Sequence, residues 1–149
     1  MSLEEKIMEG IKEAMKAHDK TALESLRAIK SAILLEKTSG SAAGLDGAAE
    51  MKLLQKLVKQ RRESAAIYTQ QNRPDLAEAE TAQAEVIERF LPRQLTAEEL
   101  EAEVAAIIAR TGAAGAADMG KVMGAASKAL AGKADGKALA DTVKRLLAR

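Results

Sequence analysis

The chain has 149 residues, a net charge of +1 and an apolar fraction of 47%, a length suited to one domain or two small ones. It holds 32 alanines but only one tyrosine (Tyr68), one phenylalanine (Phe90), two prolines and no tryptophan, so its core must be built from Leu, Ile, Val, Met and Ala in packed helices. The absence of cysteine excludes disulfides, Cys–Zn sites, iron–sulfur clusters and thiol nucleophiles.

In chain order, Ser2-Leu3-Glu4-Glu5 is a capping-box pattern. Leu3, Ile7, Ile11, Ala14 and Met15 then repeat at helical spacing and predict a first helix over about 2–17. Its glutamates argue against a signal peptide, and no apolar run is long enough to span a bilayer, so a cytoplasmic location is expected. Asp19 or Thr21 caps a second helix that carries Leu23, Leu26, Ile29, Ile33 and Leu34 to about Lys37. Residues 38–47, with three glycines and two serines, read as a flexible loop.

A third helix starts near Ala48 with Met51, Leu54, Leu57, Val58, Ala65 and Tyr68 on its apolar side, and stops near Gln71. Asn72-Arg73-Pro74-Asp75 is turn chemistry with proline at a new helix start. The fourth helix carries Leu76, Ala79, Gln83, Val86, Ile87 and Phe90 to Pro92. A boundary follows, giving expected subdomains of 1–93 and 94–149. Thr96-Ala97-Glu98-Glu99 opens a helix with Leu100, Val104, Ile107 and Ile108. Asp118 caps one with Met119, Val122, Met123, Ala126 and Leu130, and Asp135 caps the last, with Leu139, Val143, Leu146 and Leu147. The expected fold is all-α, four helices followed by a three-helix bundle.

Charge is segregated. Residues 51–73 carry +5, residues 74–111 carry −6 and residues 112–149 carry +4. Complementary faces on the third and fourth helices, with Lys59, Arg61 and Arg62 anchored to Glu78, Glu80 or Glu85, explain the first basic block as well as ligand binding does. The basic C-terminal segment has no acidic helix of equal strength beyond residues 96–111 and suits a polyanion.

Catalytic constellations are not found. His18, the sole histidine, stands at a helix end where a cationic imidazole complements the dipole. Gly115 to Lys121 follows a P-loop spacing but continues with Val122, where a Ser or Thr should meet magnesium. Gly120 and Gly124 form a GxxxG that allows close helix approach. No cofactor and no metal are expected. With a single Tyr and a single Phe the chain cannot build the stacking platforms that read single-stranded bases, so RNA would be held by phosphate and shape.

Lys59-Gln60-Arg61-Arg62-Glu63-Ser64, Tyr68, Arg73-Pro74-Asp75-Leu76, Glu78, Glu80 and Phe90-Leu91-Pro92-Arg93-Gln94-Leu95 resemble the signature of the GatB/YqeY family. Asp118-Met119-Gly120-Lys121-Val122-Met123-Gly124 and Gly132-Lys133-Ala134-Asp135-Gly136 resemble its C-terminal signature, so the likeness covers nearly the whole chain. It implies a free-standing YqeY-like protein with two helical subdomains. It also implies a relation to carbon–nitrogen ligation with glutamine as amide donor, and to the C-terminal tail of the GatB component of the aminoacyl-tRNA amidotransferase. By that resemblance the partners are tRNA or other structured RNA, and amidotransferase subunits. The candidate RNA contacts are Lys121, Lys128, Lys133, Lys137, Lys144 and Arg145, with Lys59, Arg61 and Arg62 in the other block. Gly120, Gly124, Gly132 and Gly136 would let backbone or phosphate approach closely.

Overall fold

The computed structural model describes residues 1–39 and 45–149, so residues 40–44, half of the expected 38–47 loop, lie outside the described residues. Among the described residues the fold is all-α: seven α-helices, one 3-10 turn and no strand. They fall into two compact units, Met1–Pro92 and Arg93–Arg149.

The first unit holds α1 (Leu3–Ala17), α2 (Lys20–Thr38), α3 (Gly47–Gln70) and α4 (Pro74–Glu88). Local chemistry sets each start. Ser2 Oγ accepts from the Glu5 N–H at 3.1 Å, and Asp19 and Asp46 cap α2 and α3 in the same way. Pro74 occupies the first turn of α4, where its missing N–H costs nothing. His18 ends α1 in the left-handed conformation, φ 54°, and its backbone N–H donates to the Met15 carbonyl. Helix α4 stops at Glu88 rather than at Pro92; three tight turn bonds from Arg89, Phe90 and Leu91 carry the chain onward.

The core of this unit gathers Ile7, Ala14, Ala22, Leu26, Ile29, Ile33, Leu54 and Ile87. Gly10 admits a close approach there, since a Cβ on it would meet Leu26 Cδ1 at 3.1 Å. Ser25, fully buried, donates its hydroxyl to the Thr21 carbonyl at 2.7 Å and so leaves no orphan polar atom. Helices α3 and α4 form an antiparallel hairpin across the 71–73 turn. The part of α3 beyond Leu54 buries only Ala65, and the first half of α4 buries only Ala77, so small side chains form the seam.

The second unit holds α5 (Ala97–Thr111), a 3-10 turn (Ala116–Asp118), α6 (Met119–Ala129) and α7 (Gly136–Leu147). Each helix contributes one stripe to a common core: Leu100, Val104 and Ile107; Val122, Ala126 and Leu130; Leu139, Val143 and Leu147. Thr96 and Glu99 complete the expected capping box in both directions. Asp135 caps α7 through the Ala138 N–H. Asp118 does not cap α6 as expected. Its carboxylate accepts from the Ala114 N–H at 2.9 Å and pins the loop behind it, because the 3-10 turn already supplies the entry into α6.

Candidate nucleic-acid interface

The sequence-derived lysines stand on three parts of the second unit. Lys121 and Lys128 are seven residues apart on α6 and share one exposed face with Gly120, Gly124 and Ser127. The opposite face of α6 carries the buried Val122 and Ala126. Lys133 is exposed in the turn between α6 and α7. Lys137 and Lys144 are likewise seven residues apart and share an exposed flank of α7. Each pair is separated by about 10 Å along its helix axis. None of these five ammonium groups enters an ion pair among the described residues.

The guanidinium groups behave differently. Arg145 is spent internally: Arg145 and Arg149 reach the two oxygens of Glu101 on α5, at 3.4 and 3.3 Å. The Arg145 hydrogen bond is the main cause that holds the Glu101 carboxyl below the usual carboxylate range. This pairing turns one flank of α7 toward α5 and leaves the flank bearing Lys137 and Lys144 for solvent.

In the first unit, the expected anchoring to Glu78, Glu80 or Glu85 is not what forms. Arg61 is half-buried, donating from Nε to Gln83 Oε1 at 3.0 Å and from Nη1 to the Leu57 carbonyl at 3.1 Å. Gln83 in turn donates to Glu24 on α2. Arg62 pairs with Glu88 at 3.0 Å. The register of the hairpin brings residues 83 and 88, not the earlier glutamates, opposite these arginines. Lys59 is exposed, with Lys52 and Lys56 at helical spacing on the same face of α3, and none of the three is paired among the described residues.

The glycines also separate. A Cβ at Gly120, Gly124 or Gly136 would have nothing within 4 Å. Among the described residues the GxxxG therefore meets no packed neighbour, contrary to the expected close approach, because α6 turns Val122 and Ala126, not Gly120 and Gly124, inward. Gly132 is buried and left-handed, φ 74°. Its carbonyl accepts from Gln94 Nε2 at 2.7 Å, and the Lys133 carbonyl accepts from the Leu95 N–H at 2.9 Å. Arg93 makes a bidentate pair with Glu99 at 2.7 and 2.9 Å. That hydrogen bond, reinforced by the Thr96 N–H, holds the Glu99 carboxyl down at about 2. Residues 93–95 thus fasten the start of the unit to its 130–135 turn, a clip that helical periodicity does not announce.

Among the described residues no cluster of three His, Cys, Asp or Glu is placed to hold a metal ion. No helix there is long and apolar enough to cross a membrane. The arrangement offers exposed cations on regular helices beside small residues, which suits adhesion to an anionic surface. A family profile described as Yqey-like protein matches residues 4–147. The chain belongs to the YqeY-like family. A shorter match ties this YqeY-like chain to the Altered inheritance of mitochondria protein 41, mitochondrial, of Meyerozyma guilliermondii, 52% identical over 46 residues. That stretch is 31% of this chain and 24% of the relative, so the likeness is to a minor part of that protein.

Proposed function

We propose that this YqeY-like protein is an RNA-associated accessory module whose second unit grips structured RNA, tRNA in the first instance, through Lys121, Lys128, Lys133, Lys137 and Lys144. The observation that carries the reading is that these five ammonium groups are exposed and, among the described residues, unpaired, while the neighbouring Arg145 and Arg149 pair with Glu101. Lys128 and Lys144 stand in the last turns of α6 and α7, where a cation also complements the helix dipole, whereas Lys121, Lys133 and Lys137 are in neither an ion pair nor a last helical turn among the described residues, as suits phosphate contacts. Gly124 between Lys121 and Lys128 leaves room for a ribose-phosphate backbone to lie against the helix.

The family relation to glutamine-dependent amidotransferases belongs to the same proposal: a partner supplies the chemistry and this chain supplies the grip, in the cytoplasm. Binding of unacylated tRNA, measured between about 50 and 200 mM salt, is expected to weaken with a log–log slope near −3 to −4 for about four phosphate contacts. Lys121→Glu with Lys128→Glu should weaken binding and flatten that slope. Binding that is absent or indifferent to salt overturns the reading. The purified chain with misacylated tRNA, ATP and glutamine is expected to show no turnover; turnover without partners replaces the accessory role by an enzymatic one.

A further inference from the structure

Helix α1 carries an exposed apolar line that the core does not use. Met8 and Met15 are 52% and 54% exposed, and Met1, just before the Ser2 cap, is 68% exposed. The seven-residue spacing of Met8 and Met15 sets those two on one side of the helix, about 20° apart. Lys37 on α2 pairs with Glu4 of α1, and Leu34, one turn earlier on that side of α2, is 61% exposed. Solvent-facing methionines and a leucine in a row are a poor surface for an isolated chain and a good one for a partner helix.

The charges beside the line select the partner. Glu5 and Lys12 are exposed on the same shoulder of the methionine line, and neither is paired among the described residues. They are seven residues apart, so about 10 Å of helix separates them and they cannot meet each other. In an antiparallel pair of α1 helices centred on Met8, residue i lies opposite residue 16 − i, and like shoulders face each other. Met8 then meets Met8 of the second copy, and Glu5 falls within one residue of Lys12, twice by symmetry. A parallel pair would carry the two shoulders to opposite sides of the seam and leave Glu5 and Lys12 without each other. The line carries both signs in balance, which disfavours a polyanion there.

We infer that the α1 face is a self-association surface: two copies of this chain pair antiparallel through α1 about a twofold axis at Met8. The inference is independent of the RNA reading. Two helices about 22 Å long make a small contact, so the dimer is a weak one.

The full chain is to be examined by sedimentation equilibrium from about 5 to 500 µM, the range in which a contact of this size associates. A reversible monomer–dimer equilibrium is expected. Glu5→Lys and Lys12→Glu, each at an exposed site and checked for unchanged helicity, should each weaken the dimer about tenfold, since two ion pairs become two repulsions. An equimolar mixture of the two variants should associate at least as well as the parent, because each new charge then meets its opposite. The chain has no cysteine, so Met8→Cys introduces a single thiol. It should cross-link to its counterpart with a short bis-maleimide much faster than Lys128→Cys does. A monomer throughout the range, a mixture no better than either variant alone, or equal cross-linking at the two positions overturns the inference.

Discussion

Gly124 and Gly132 lie eight residues apart, and the structure assigns opposite signs to the same substitution at each. Gly124 sits inside α6 with ordinary helical backbone and open space where a Cβ would go. Gly124→Ala therefore removes backbone freedom from the unfolded chain without a clash, and should stabilise the second unit by about 0.8–1 kcal/mol. Gly132 is held at φ 74°, where an L side chain costs about 1–2 kcal/mol. Gly132→Ala should destabilise by that amount and loosen the Gln94 clip. Hydrogen exchange of the Val122, Ala126 and Val143 amides reads the second unit directly. Gly124→Ala should slow exchange about four- to fivefold, and Gly132→Ala should speed it about five- to thirtyfold. A destabilised Gly124→Ala would show that something packs on that face within the chain and would refute the reasoning. If phosphate uses the space, the stabilised variant should bind tRNA less well than the parent, the separation of fold from function expected at a contact surface.

Ile29 is fully buried in the first unit, and Ile29→Ala should cost about 2–5 kcal/mol in urea unfolding. Asp135→Ala should cost about 1 kcal/mol by removing the α7 cap, whereas Asp118→Ala should loosen protection of the Ala114 amide and leave α6 intact. Glu99 has a folded value depressed to about 2 from an ordinary 4.5, so its contribution is complete above about pH 4.5 and is lost as pH falls through its folded value. An NMR titration of the Glu99 side chain should show the low midpoint in the parent and a return toward the ordinary value in Arg93→Ala.

The all-α fold is legible in the sequence because burial in helices follows period, and period is local. Leu100, Val104 and Ile107, or Leu139, Val143 and Leu147, declare their common face without any knowledge of neighbours. The caps at Ser2, Asp19, Thr96 and Asp135 are legible for the same reason, since each closes over three residues. Asp118 misleads because a carboxylate ahead of a helix can close backward as well as forward. Arg61 and Arg62 mislead because choosing among Glu78, Glu80, Gln83, Glu85 and Glu88 requires the register of two helices, and charge alone does not fix it. The contacts of Gln94 and Leu95 to the 132–133 backbone, 38 residues away in chain, leave no periodic trace at all. The lysine positions are visible in sequence; that they make no ion pair among the described residues while Arg145 does is visible only once α5 lies beside α7.

The bonds of Arg93, Gln94 and Leu95 described above end on residues between 99 and 133. A polypeptide severed at residue 92 would keep the groups that make those bonds. The second unit thus carries its own lock on its first turn.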